Sequence, residues 1–158
     1  MPWFSLRLKV CGEIIDVRFC MKAISLLQPW ASLVIMGVKT IETRSWATKH
    51  RGSILIHASQ GKAGSLFAIE PPFKKYIPDF NALPFGAILG TVCISAMMRM
   101  KDLMMTDEWI NRLTLEEKAF GDYGEGRYAW MLEDARPFRN AVAARGSLHL
   151  WDNPHEGI

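Results

Sequence analysis

The sequence has no uninterrupted apolar run that approaches the length of a membrane-spanning helix, although 49% of its 158 residues are hydrophobic. Its first ten residues, MPWFSLRLKV, also lack the long apolar stretch that follows the basic start of a signal peptide. We therefore expect a cytoplasmic protein that does not associate with membranes.

Cysteine is scarce, and the three cysteines (Cys11, Cys20 and Cys93) form no CxxC pair. The four histidines are widely spaced, without an HxH or HExxH pattern, so the spacing that metal sites use is missing. The odd cysteine count and the lack of close pairs also argue against a disulfide framework. We expect no metal ion and no cofactor.

A strong excess of one charge is missing as well. Nineteen Lys and Arg stand against sixteen Asp and Glu, which gives a net charge of +3 and a pI near 8.8. This balance permits a nucleic-acid partner without demanding one. Six Trp and eight Phe supply apolar area for a core and flat rings on which bases can stack.

The length fits one domain, and the pattern predicts both strands and short helices. Pro29 suits the first position of a helix that runs to Met36 and ends at Gly37. Pro137 is expected to start a short connection. Apolar, β-branched segments predict strands at residues 22–27, 53–59, 86–95, 127–133 and 147–151.

These elements indicate an α+β fold with a mostly antiparallel sheet that curls into a barrel. Residues 21–152 are expected to form the domain, followed by a tail at 153–158. Residues 1–20 are set apart as an N-terminal extension, either a non-native upstream addition or an added edge hairpin that turns at Cys11 to Glu13.

The densest polar group of residues is the segment Gly37-Val-Lys-Thr-Ile-Glu-Thr-Arg44. On an ideal strand Glu42 and Arg44 share a face, and Lys39 sits near the corner between helix and strand. Together they supply a cation, a carboxylate and a fork-shaped donor, which suits phosphate recognition or proton transfer. The spacing alone favours a simpler interpretation, a surface strand with a salt bridge.

The chain from Met21 onward resembles an ASCH domain, a family similar to PUA-like RNA-binding folds. The family pattern GxKxxExR is complete as Gly37, Lys39, Glu42 and Arg44. Further matching stretches follow in consistent order: residues 25–31, 51–59, 86–90, 126–130 and 145–151. The resemblance implies a PUA-like/ASCH β-barrel of five to six mostly antiparallel strands flanked by short helices, with the motif lining a cleft beside the first helix.

The resemblance also implies RNA binding, often linked to translation or coactivator function. Some relatives are enzymes. One branch hydrolyses acetylated cytidine with a Lys, a Thr three residues later and a Glu, whereas this chain has Glu42 at the Thr position, with Thr40 and Thr43 beside it. Another branch has ribonuclease activity.

Several other residues fit a ligand site or an ordinary structural role. Trp30 and Trp46 can stack on a base or fill the core. Arg51 belongs to a basic turn with Lys49 and His50 that can contact phosphate, and Ser59 ends the strand that begins at Ser53. In the glycine-rich segment 121–127, Tyr123 and Arg127, with Tyr128 just after it, can form part of a ligand rim.

Three functions remain open from the sequence. The first is a module that binds RNA or a nucleotide-like small molecule through Lys39, Glu42, Arg44, Trp30, Trp46, Arg51 and Ser59. The second is a hydrolase of RNA or of a modified nucleoside, with Lys39 and Glu42 as catalytic residues. The third is a coactivator-like protein-interaction module, which an exposed apolar patch at 64–84 or 97–110 would favour. No feature indicates an oligomeric state.

Overall fold

The structure is a computed structural model that describes residues 7–10, 13–16, 21–107 and 112–153. Most of its regular secondary structure is in strands. The strands are β1 (Arg7–Val10), β2 (Glu13–Asp16), β3 (Lys22–Leu26), β4 (Ile41–Arg44), β5 (Gly52–Ala58), β6 (Ala87–Arg99), β7 (Tyr128–Ala143) and β8 (Leu150–Asp152). The helices are α1 (Trp30–Ile35), α2 (Ser65–Ala68), α3 (Phe73–Tyr76), α4 (Met100–Leu103) and α5 (Leu115–Ala119), with a 3₁₀ turn at Phe80–Ala82.

Six strands form one curled sheet in the order β4-β7-β6-β5-β3-β8. Only β3 and β5 run parallel to each other, with Ser25 opposite His57, and the other neighbours in this sheet are antiparallel. The parallel pair follows from the chain path, because α1 and β4 lie between the two strands. The expected α+β fold, with five to six mostly antiparallel strands flanked by short helices, is confirmed.

The first two strands form a separate two-stranded antiparallel sheet, in which Val10 lies opposite Glu13. The division of the chain into an extension at 1–20, a domain at 21–152 and a tail stays a prediction. Among the residues that the structure describes, no helix is long and apolar enough to cross a membrane.

The main core lies where α1 packs on the sheet. Val34 and Ile35 of α1 share a buried cluster with Ile24, Ile56 and Trp130 from three different strands. Each such side chain contributes roughly 1.5–3 kcal/mol when it leaves water. The cluster fixes the position of α1, and therefore of the segment that follows it.

A second buried cluster joins α1, α3 and the end of α5. Leu33 of α1 packs with Phe73 of α3 and with Phe120, the C-cap residue that follows α5. Phe73 and Phe120 meet edge to face, with ring centroids 5.0 Å apart. This cluster holds the end of α5 against α1.

Strand β7 continues through Pro137, where the sequence predicted a connection. That prediction is wrong because Pro137 lies opposite Gly90 and on a part of β7 beyond β4, which pairs only with residues 128–131. Within the described residues, that side of β7 has no further neighbour in the sheet, and the register with β6 shifts between Ile88 and Gly90. Proline within a sheet is found at such edges and bulges.

Cys93 of β6 is disulfide-bonded, contrary to the expectation from the cysteine spacing. The other two cysteines, Cys11 and Cys20, lie outside the described residues.

Candidate functional site

A cleft of about 410 Å³ opens beside α1. It lies between the start of α1, strand β4 and the segment that follows α5. Its lining residues are Leu26, Leu27, Trp30, Lys39, Glu42, Thr43, Arg44, Phe67, Ala119, Phe120, Gly121, Asp122 and Arg127. All three ionisable residues of the GxKxxExR pattern are therefore in one cleft.

The end of α1 determines where Lys39 points. Gly37 has a φ of +71°, the left-handed conformation that the sequence predicted for the helix stop. The N–H groups of Val38 and Lys39 then both donate to the carbonyl of Leu33 at 3.0 Å. Strand β4 begins only at Ile41, so Lys39 precedes the strand alternation and reaches the same side as Glu42.

Lys39 is almost completely buried, with 2% of its surface exposed. Its Nζ donates to the carbonyl oxygen of Ile41 and lies 3.6 Å from Glu42 Oε2 and 3.7 Å from Glu117 Oε1. The Tyr123 ring centroid is 5.8 Å away. A buried ammonium needs compensation of this kind, and here two carboxylates supply it.

Glu117 of α5 is the member of the site that sequence reasoning missed. Its carboxylate accepts from Thr40 N at 2.9 Å, Thr40 Oγ1 at 3.1 Å and Ile41 N at 3.3 Å. The sequence shows Thr114 and Glu117 as a helix-capping pattern, and Thr114 Oγ1 does accept from Glu117 N. The cap left the carboxylate free to reach Lys39, 78 positions earlier in the chain.

Tyr123 completes the buried cluster. Its hydroxyl donates to Glu117 Oε1 at 2.9 Å. Burial, followed by the nearby charges of Glu117 and Glu42, raises the pKa of Tyr123 well above its usual range. Tyr123 therefore stays protonated and remains a donor to the carboxylate at any ordinary pH.

Two arginines carry positive charge at the mouth of the cleft. Arg44 Nε lies 3.1 Å from Glu42 Oε1, at an ion-pair distance but without the angle of a hydrogen bond, and Arg44 Nη2 donates to Ser25 O at 3.5 Å. Arg127 Nη2 donates to Thr43 O at 2.9 Å, and its Nη1 lies 3.4 Å from Asp122 Oδ2. Both side chains line the cleft and are partly exposed, Arg44 to 26% and Arg127 to 30%.

Aromatic rings form the remaining wall. Trp30 donates from Nε1 to the carbonyl of Phe120 at 2.7 Å, which fixes the indole, and its ring centroid lies 5.1 Å from that of Phe67. Phe67 in α2 is half exposed. A flat ligand can therefore meet an aromatic surface next to the charged group.

The structure places three further predicted site residues away from this cleft. Trp46 packs edge to face on Trp130, with centroids 4.7 Å apart, which matches its core interpretation. Arg51 folds back on its own turn and donates to the carbonyls of Thr48 and His50. Ser59 lines a different cavity. Their predicted contacts with a ligand stay predictions.

The cleft therefore combines a buried ammonium, two carboxylates that contact it, two partly exposed guanidinium groups and an aromatic wall. Such a set can bind an anionic, flat ligand and can also move a proton between Lys39, Glu42 and Glu117. Within the described ranges, no group of three or more His, Cys, Asp and Glu is arranged to hold a metal ion.

Comparisons with known proteins point to one family. The family profile described as ASCH domain matches residues 24–141. Activating signal cointegrator 1 from Homo sapiens is 36% identical over 86 residues, and the Mus musculus protein of the same name is 38% identical over 87 residues. Each match covers 51% of this chain but only 14% of the relative's own length.

Solved structures of an ASCH protein from Zymomonas mobilis also resemble this chain. One is 21% identical, with a TM-score of 0.48, and covers 78% of this chain and 73% of its own. A mutant of the same protein is 20% identical, with a TM-score of 0.49, and covers 80% and 75%.

Proposed function

Because the chain belongs to the ASCH domain family, we propose that its cleft binds RNA or a nucleotide-like small molecule. The observation that carries the proposal is the convergence of Lys39, Arg44 and Arg127 with an aromatic wall in one cleft. Phosphate favours guanidinium partners, and a base favours a flat ring.

Each part of a nucleotide has a matching group. Arg44 and Arg127 are the partly exposed cations, and each has N–H groups that a phosphate can reach. Phe67 and the neighbouring Trp30 offer a stacking surface for the base. Glu42 lines the cleft and can accept a hydrogen bond from a ribose hydroxyl or a base amino group.

A hydrolase acting on RNA or on a modified nucleoside is the second candidate. The position of Lys39 between Glu42 and Glu117 favours it. Lys39 Nζ lies within 3.7 Å of an oxygen of each carboxylate, so these three groups can relay a proton. The nearby threonines are already engaged: Thr40 Oγ1 donates to Glu117, and Thr43 Oγ1 accepts from Arg127. Glu42 would therefore act at the position where the acetylated-cytidine hydrolases have a threonine.

A protein-recruiting role, which the name of the cointegrator relatives suggests, is the third candidate. Leu66, Phe67 and Ile69 of the α2 region keep half or more of their surface exposed. They lie within the stretch where an apolar patch was expected to favour such a role. Since Phe67 also lines the cleft, the same residue serves the first candidate.

The test compares wild type with two cleft variants, Lys39→Ala and Arg44→Gln, and a control, Lys49→Ala. Lys49 is an exposed lysine of the basic turn outside the cleft lining. Each protein is incubated with a pool of short RNAs and with acetylated nucleosides. Equilibrium binding and mass spectrometry of the products are followed together, after circular dichroism has shown that each variant is folded.

Binding that is lost in both cleft variants and kept in Lys49→Ala, with no product, is the expected result. Product formed by wild type and by Lys49→Ala, but not by Lys39→Ala, would establish the hydrolase instead. Binding that survives in Arg44→Gln and Lys39→Ala would overturn both cleft functions and leave the protein-recruiting role.

A further inference from the structure

A second, larger cavity of about 880 Å³ lies on the other side of β3 and shares no lining residue with the cleft. Its wall is formed by Ser25 of β3, by His57 and Ser59 at the end of β5, and by the segment 143–148. Arg145 is the only other ionisable side chain among the described lining residues, so no carboxylate faces His57 there. The proposed function makes no use of this cavity.

Ser25 and His57 form a hydrogen-bonded pair in this wall. They lie directly opposite each other in the parallel pairing of β3 and β5, which points both side chains to one face. Ser25 Oγ is 3.0 Å from His57 Nδ1. On the other side of the ring, His57 Nε2 is 3.0 Å from the carbonyl oxygen of Ala144.

The Ala144 contact determines which ring nitrogen carries the proton. A carbonyl oxygen only accepts, so Nε2 of a neutral His57 must donate to it. Nδ1 is then left with a lone pair, and the Ser25 hydroxyl donates to it. This is the order of a nucleophile, a base and a group that orients the base.

The surroundings support this assignment. Burial, opposed in part by the Ala144 hydrogen bond, lowers the pKa of His57. His57 is therefore neutral near pH 7 and able to accept the serine proton. Trp151 Nε1 donates to Ser25 Oγ at 3.2 Å, a contact that also stabilises negative charge on this oxygen.

Two further residues, Gly146 and Ser59, lie beside the Ser25–His57 pair in the cavity wall. A Cβ at Gly146 would lie 2.5 Å from both His57 Cε1 and Ser25 Oγ, so only glycine lets the chain pass so close without displacing them. Ser59 follows His57 by two positions on the same face, and its Oγ is buried without a hydrogen-bond partner among the described residues. It is an available donor for an oxygen that becomes negative in the same cavity.

We propose that Ser25 is a nucleophile activated by His57 in a second site that takes a carboxylic ester. Ser25 Oγ attacks the carbonyl carbon while its proton moves to His57 Nδ1. The bond to the alcohol oxygen breaks, and the departing alcohol takes that proton. Water then hydrolyses the acyl-Ser25 by the same route, with its proton passing through His57, so acid is released and the hydroxyl restored.

The test uses a fluorophosphonate, in which Oγ attack forms an O–P bond, fluoride leaves and the proton again goes to His57. Mass spectrometry of the digested full-length protein locates the adduct. We expect labelling of Ser25 and none of Ser147, an exposed serine of the same cavity wall without a histidine partner among the described residues. The variant His57→Gln should slow labelling about 100-fold or more.

The pH profile separates a base from a structural histidine. In wild type the labelling rate should rise with pH through a single ionisation below about 6.5 and then level off. Lys49→Ala, a change at an exposed lysine that lines neither cavity, should label like wild type. Absence of a Ser25 adduct, a rate without that ionisation, or equal labelling of a folded His57→Gln would each overturn the proposal.

p-Nitrophenyl acetate then tests turnover by the same residues. Release of nitrophenol by wild type that is lost in Ser25→Ala and in His57→Gln is the expected result. Release that persists in a folded Ser25→Ala would contradict the role of this oxygen.

Discussion

Lys39 is a buried cation whose two carboxylate partners come from different parts of the chain. Glu42 is three residues away, whereas Glu117 arrives on α5 and also accepts three hydrogen bonds from the residues around Lys39. Removing water from three charges is costly unless each is compensated. Glu117 therefore joins α5 to β4 and also neutralises Lys39.

Replacing Glu117 with alanine should destabilise the protein by about 3–5 kcal/mol, because Lys39 and several N–H groups lose a buried acceptor. The control is Glu116→Ala. Glu116 is the adjacent carboxylate, but its partners Lys75 and Tyr76 bind it at the surface. Urea denaturation should show a much smaller loss for this control, since exposed pairs are screened by water. Equal losses for the two variants would contradict the compensation of Lys39.

His57 should make the folding stability depend on pH. Because burial lowers its pKa in the folded protein, the unfolded chain binds a proton first as the pH falls below about 6.5. Stability should therefore decrease with falling pH between 6.5 and the lowered pKa. Urea midpoints of wild type and His57→Gln, at about pH 7.5 and about pH 5, check this, because glutamine cannot titrate. An unchanged pH dependence in the variant would refute it.

At the scale of elements, β6 and β7 form the longest pairing of the sheet and are not regular. The register between them shifts at three places, and one of these lies between Ile88 and Gly90. At Gly90 the strands come so close that a Cβ would be 2.2 Å from Arg136 O. Such irregularities bend a strand, which lets the sheet curl around its core.

Gly90→Ala should therefore destabilise the protein by about 1–3 kcal/mol or more, since the neighbour at the contact is backbone and cannot turn aside. Gly126→Ala is the matched control, because a Cβ there meets no atom within 4 Å. Urea midpoints measure both. A Gly90 variant as stable as the Gly126 variant would show that the close approach is not needed.

The sequence predicted the local elements of the site well, for physical reasons that appear in particular residues. Pro29 and Gly37 bound α1, and β-branched residues from Ser53 onward predicted β5. Contacts between distant parts of the chain were beyond its reach. For Glu117 the sequence showed only a helix-capping pattern. Pro137 was predicted to start a connection, because its pairing with Gly90 depends on the register between β6 and β7, which no local pattern contains.

At the scale of the whole molecule, the family match begins at residue 24 and the six-stranded sheet begins at Lys22. We propose that residues 21–158 fold without the preceding segment. Both other cysteines lie in residues 1–20, so the full chain and the truncated chain must be compared in reducing buffer. Similar urea midpoints and circular dichroism spectra are expected. A large loss of stability on truncation would show that the segment belongs to the domain.

Salt dependence should distinguish a small nucleotide from an extended RNA as the ligand of the cleft. The net charge is only +3, and Glu42 and Asp122 offset part of the positive charge in the cleft. With Arg44 and Arg127 as the exposed cations, about two phosphates are neutralised, which predicts a log–log slope near −1.4 for a single strand. Affinity should then fall about sevenfold between about 50 and 200 mM salt.

Titrations of a dinucleotide and of a longer RNA, followed by fluorescence anisotropy, measure the slope. A loss of about a thousandfold for the longer RNA would mean about seven phosphate contacts, and would place most of the binding surface outside this cleft.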